Sequence, residues 1–141
     1  MLELKWSDYS TMQQETDACF RLFKNIKVFF DTQAKLYGDY GMLCFGDCQI
    51  DAIAYDSERA KLTVRIVDNL KNTKYCSKQI SRIFYVFDFY GVDNFGCDIA
   101  PEHWISDIFM QKLESNIILF DCDAGLKFSF SSAEANRCWC E

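Results

Sequence analysis

Residues 80–92 read ISRIFYVFDFYGV, and this stretch decides the fold. Ile83, Tyr85, Phe87 and Phe89 alternate with Phe84, Val86, Asp88 and Tyr90, the period of a β-strand. Both faces are largely apolar. That pattern predicts a central strand with a layer on each side, an N-terminal helix forming one of them.

Further strands follow outward from this centre. CQIDAIAYD (48–56) reads as a strand with a bulge near Asp51 and Ala52, where the alternation slips. AKLTVRIVD (60–68) alternates cleanly, with Leu62, Val64 and Ile66 on one face. Residues 69–78 are polar and read as a hairpin loop. On the other side, 91–104 reads as a loop containing Pro101, and 104–113 as an edge strand in preference to a helix. NIILFDC and GLKFSFS flank the turn residues Asp123, Ala124 and Gly125, a hairpin signal. RCWC (137–140) closes the chain as a short strand. Upstream, residues 10–24 place Cys19, Phe20, Phe23 and Ile26 at helical spacings, with Ser10 or Thr11 as N-cap. Residues 28–32 fit either a short strand or the end of that helix. Gly38, Gly41 and Gly46 mark an irregular segment. The expected fold class is therefore α+β: one domain over 1–141, an N-terminal helix packed on a mainly antiparallel meander of about six strands.

Composition supports a full core. The 141 residues are 50% hydrophobic and 16% aromatic, with 13 Phe, 7 Tyr and 3 Trp, and aromatic side chains dominate core and interface energies. The first residues lack the basic start and apolar run of a signal peptide, and no apolar stretch is long enough to span a bilayer. The expectation is a cytoplasmic chain whose eight cysteines are reduced thiols, mostly buried.

Charge is uneven. Residues 59–82 hold seven bases and one acid, whereas 83–126 hold eight acids and one base, within a net charge of −6. A surface of that acidic kind repels nucleic acid and attracts basic partners. The acids lie among aromatics, which are enriched at protein interfaces. This selects Asp88, Tyr90, Asp93, Phe95, Asp98, Glu102, Trp104 and Asp107 as candidate partner-binding residues.

Signals for catalysis are weak. The one histidine, His103, sits in a Pro-Glu-His-Trp loop without a motif around it. Cys44 and Cys48 have a permitted zinc-ligand spacing, but Cys138 and Cys140 are too close together to complete a set. Asp121 and Asp123 flank Cys122, and neighbouring carboxylates oppose thiolate formation. No Gly-rich phosphate loop is present. No catalytic residue, metal or cofactor is assigned.

Three segments together carry a family resemblance: GDCQI at 46–50, AIAYDSERAKLTVRI at 52–66 and IFYVFDFYGVDNF at 83–95. The chain over 46–132 resembles small bacterial immunity proteins of polymorphic-toxin and contact-dependent growth inhibition systems. Many members carry a histidine where this chain has Gly46. The resemblance implies a non-enzymatic cytoplasmic binder that neutralises one cognate toxin domain, here a basic one of nuclease type. The alternatives are a small accessory or structural subunit of a larger assembly, or a β-lined ligand-binding module.

Overall fold

A computed structural model describes residues 6–38, 41–70, 80–99 and 104–141. Over these residues the chain is α+β, with two α-helices and eight strands in two antiparallel sheets. The helices are α1 (Trp6–Phe20) and α2 (Lys27–Tyr37). The first sheet has the order β1-β2-β3-β8, formed by β1 (Gln49–Asp56), β2 (Lys61–Asn69), β3 (Arg82–Tyr90) and β8 (Ser132–Cys140). The second has the order β4-β7-β6-β5, formed by β4 (Asp93–Cys97), β5 (Ile108–Lys112), β6 (Ile118–Cys122) and β7 (Leu126–Phe130).

The expected single helix is two. Ser10 and Thr11 lie inside α1, so neither is its N-cap. The helix ends at Phe20, and Asn25 then takes a left-handed φ of 62°, a conformation asparagine tolerates better than most residues. Residues 28–32 belong to α2 and are not a strand. Between the helices, Lys24 accepts from Ala135 N and donates to Ala133 O, covering the open edge of β8.

The meander is also corrected. β1, β2 and β3 pair in sequence, but β3's other neighbour is β8, not β4. Residues 93–97, expected as loop, form β4, paired with β7 across a bulge. RCWC is the end of the nine-residue β8. The bulge expected at Asp51 and Ala52 is present as a register shift between Ile50 and Ala52. Strand character in 104–113 and the 123–125 hairpin both hold. The hairpin loop expected at 69–78 lies mostly outside the described residues.

Two strands pass from one sheet to the other side by side. β3 continues into β4 through Gly91 and Val92, and β7 into β8 through Ser131. Tyr90 pairs with Ser132 on one side of this corner, and Asp93 pairs with Ser129 on the other. Ser131 N donates to Tyr90 O within the bend, at 2.9 Å. Gly91 has φ +66°, and a Cβ there would lie 2.2 Å from Ser131 Oγ.

The core lies between the sheets and the helices. Phe89 of β3 meets Phe120, Phe128 and Phe130 of the second sheet at ring distances of 5.4, 4.8 and 4.9 Å. Phe87 meets Phe23 and Phe29 at 5.8 and 5.0 Å. Thus β3 is central, with its Phe87 face covered by helix on one part and sheet on the other. Among the described residues, no helix covers its opposite face. There Phe84 stacks on Trp139 at 5.0 Å, with Arg65 and Arg82 over the Phe84 ring and Arg137 over Trp139. The guanidinium groups lie over the ring faces, a cation–π arrangement that covers the aromatics on this side of the sheet.

α1 seals the free edge of β5. Met110 N donates to Thr16 Oγ1 at 2.9 Å, and that hydroxyl donates to Met12 O at 2.8 Å. An edge strand is an open template for pairing, and a helix laid on it removes the template.

Candidate functional site

The eight expected partner-binding residues fall into three places. Asp98, Trp104 and Asp107 meet at one end of the second sheet. The β6–β7 turn gathers them: Asp98 N donates to Gly125 O at 2.7 Å, and Asp123 N donates to Asp107 O at 3.3 Å. Asp123 Oδ1 in turn accepts from Ser106 N and Asp107 N at 3.0 and 3.2 Å. Gly125 is required here, because a Cβ would lie 2.1 Å from Asp98 O, and its φ is +108°. Trp104 is 48% exposed and bridges Gln49 of β1. Asp47 joins the same end through its amide, which donates to Ile105 O at 2.8 Å. Four acids and a tryptophan from separate segments therefore share one rim.

Asp93 and Phe95 lie further along β4, Asp93 at its opposite end. At about 3.3 Å per residue, Asp93 and Asp98 are about 16 Å apart. Asp93 is exposed. Phe95 is half-buried and stacks on Tyr55 of β1 at 4.5 Å.

Asp88 and Tyr90 are on the outer face of the first sheet, away from the rim. Asp88 is only 1% exposed. Its Oδ1 accepts from Thr63 at 2.5 Å and its Oδ2 accepts from Asn136. The carboxylate is consumed within the sheet and offers no steering charge to a partner. Tyr90 donates to Glu134 at 2.9 Å, and this bond pushes its hydroxyl pKa up to about 12. Glu102, like His103 and Cys76, lies outside the described residues.

Four buried or half-buried cysteines are held away from the thiolate form. Burial pushes Cys122 up to about 11, and raises Cys19, Cys48 and Cys138 as well. Cys44, Cys97 and Cys140 are exposed, so the Cys44 and Cys48 pair is split between surface and core. Among the described residues, no three His, Cys, Asp or Glu side chains come together as a metal set. No helix among them is long and apolar enough to cross a membrane.

One concave feature escaped the sequence. A groove runs between α1, residues 41–46 and the start of β5. Its inner pit, about 110 Å³, is walled by Thr16, Asp17, Cys44, Gly46 and Asp107 over a floor of Phe20. An outer pit of about 310 Å³ shares Gln13, Asp17 and Met42 with it. Gln33 of α2 shapes the wall, because its amide both donates to Cys44 O and accepts from Cys44 N at 2.9 Å. At the mouth, Tyr9 donates to Asp107 Oδ1 at 2.8 Å, which raises the tyrosine pKa. These residues lie up to 98 positions apart, and no local pattern links them.

No family model matches the chain, nor does any curated protein or solved structure.

Proposed function

We propose that this chain is a binding protein of the immunity type: a non-enzymatic cytoplasmic inhibitor that holds one basic protein domain, a nuclease-type toxin. The observation that supports it best is the acidic rim. Asp47, Asp98, Asp107 and Asp123 come from separate segments and are gathered around the β6–β7 turn beside the exposed indole of Trp104. Aromatic anchors ringed by charge are the usual composition of an energetic interface centre, and the charges set encounter rate and partner choice. The inhibitor acts by occupying the partner's surface and needs no reaction of its own. Phe95 and Asp93 extend the rim along β4, whereas Asp88 and Tyr90 take no part in it.

A second reading has its own observation. Leu22 and Val28, either side of the turn between the helices, are 61% and 56% exposed. Such a pair suits an accessory subunit buried in a larger assembly.

The test is affinity capture from the native cell, identification of the eluted protein by mass spectrometry, and binding kinetics at low and high salt. An inhibitor of this kind gives a basic partner. The Asp93→Lys, Asp98→Lys double variant then associates about tenfold more slowly at low salt, with a shallower salt dependence. An acidic partner, or an association rate indifferent to the double variant, overturns the proposal.

A further inference from the structure

The groove beside α1 has chemistry that the rim alone does not explain. Asp17 contributes one carboxylate. Its Oδ2 pairs with Arg21 Nε at 2.9 Å, but its Oδ1 is buried with no hydrogen-bond donor among the described residues. A buried carboxylate oxygen without a donor pays its desolvation cost uncompensated. Asp107 contributes a second carboxylate, with one neutral donor, Tyr9, and no ion pair among the described residues. Arg21 is turned to Asp17 Oδ2 and Gly41 O.

The rest of the lining is apolar and shaped for a chain. Phe20, Leu43 and Phe45 form the floor, and Met42 stands 41% exposed at the join of the two pits. Methionine adapts its shape to whatever it packs against. A hydrocarbon stem over this floor, ending in a positive head between two carboxylates, matches the lining group by group. Lysine and arginine side chains have that form, with an apolar stem and a charged end. The volume also suits it. An inner pit of about 110 Å³ holds several water-sized probes, each needing about 10–15 Å³.

We infer that the α1 groove is a receptor for one lysine or arginine side chain of a protein partner, with Asp107 binding its head, Asp17 adding negative charge beside it and Met42 packing on its stem. This rests on the reading of the chain as a binder of a basic protein and names the anchor point for it. Asp107 belongs to both features, so the groove opens beside the acidic rim.

Cys44 supplies a test that needs no partner, because its exposed thiol lines the inner pit. Two methanethiosulfonate reagents of similar size, one ending in an ammonium and one in a sulfonate, are reacted with the folded full chain. Modification at Cys44 is followed by peptide mass spectrometry. The ratio of the two rates is divided by the same ratio on N-acetylcysteine. The expected result is a preference for the ammonium reagent of about fivefold or more, since a charge a few ångströms from two carboxylates near a protein surface gains on the order of a kcal/mol or more. Asp107→Asn keeps an acceptor for Tyr9 and Asp17→Asn keeps an acceptor for Arg21, so both variants should fold, which circular dichroism checks. Together they should abolish the preference, and agmatine at millimolar concentration should slow Cys44 labelling in the unaltered chain alone. A normalised ratio near one, or a preference that survives both substitutions, overturns the inference. The two readings fail separately. A cation preference with an acidic captured partner sinks the inhibitor proposal and leaves the groove; a basic partner without the preference sinks the groove and leaves the rim.

Discussion

Gly91→Ala tests the corner where the two sheets share strands. Two costs follow from the geometry. The residue sits at φ +66°, where an L side chain costs roughly 1–2 kcal/mol. The new Cβ would also stand 2.2 Å from Ser131 Oγ and 3.1 Å from Ser131 Cβ. Ser131 can relieve the first contact by rotating, but it then gives up its hydroxyl bond to Tyr90 O, 3.2 Å long, worth about 1 kcal/mol. The second contact remains as mild overpacking. The sum is about 2–4 kcal/mol. Ser131→Gly removes both contacts and leaves the backbone term, so the pair should couple favourably by about 1–2 kcal/mol in a double-mutant cycle. Urea unfolding of the four proteins measures this, with the transition slope checked for constancy. Strict additivity would show that the two strands are not packed together at the bend. A loss under about 0.5 kcal/mol for Gly91→Ala alone would show that the bend is elsewhere.

Two further outcomes are expected. Phe87→Ala deletes a ring that is 2% exposed and touches Phe23, Phe29 and Phe45; it should cost about 3–5 kcal/mol, and a denaturation loss below about 1 kcal/mol would mean that β3 is not central. Asp68 accepts from Tyr37, and burial raises its carboxyl above the ordinary range. Folding is therefore linked to proton uptake there: the charged form weakens the fold above the raised value, and the penalty disappears as pH falls toward about 3.9. Asp68→Asn should accordingly compare better with the unaltered protein at pH 7 than at pH 4. A stability difference that does not change between these pH values, or changes the other way, contradicts the assignment.

The legible parts of the fold were those written in local alternation. Residues 83–90 announced a strand because their period of two survives on both faces, and the Asp123-to-Gly125 turn announced its hairpin. β4 stayed hidden because Asp93, Asn94 and Gly96 carry no strand preference of their own; the partner strand β7 imposes the conformation. The second helix stayed hidden because Val28, Phe29 and Phe30 suit a strand as well as a helix, and only the left-handed Asn25 marks the break before it. For the site, acid clustering in sequence became clustering in space for Asp98 and Asp107, since a turn ties them. It failed for Asp88, whose strand alternation already placed it beside Thr63 across β2 and β3. The groove was illegible because its walls come from three segments joined only by tertiary packing.

The corner through Gly91 and Ser131 also bears on how the chain reaches this shape. Ile83 pairs with Cys140, so closing the first sheet brings together residues more than fifty positions apart, with the whole second sheet enclosed in the intervening loop. Pairings of such separation slow folding toward milliseconds to seconds. Because β3 runs into β4 through only Gly91 and Val92, and β7 into β8 through only Ser131, the two sheets are tied together at this corner by two short covalent bends. Amide exchange along both should therefore report one common opening free energy, that of global unfolding, with no separable foldon on either side of the bend.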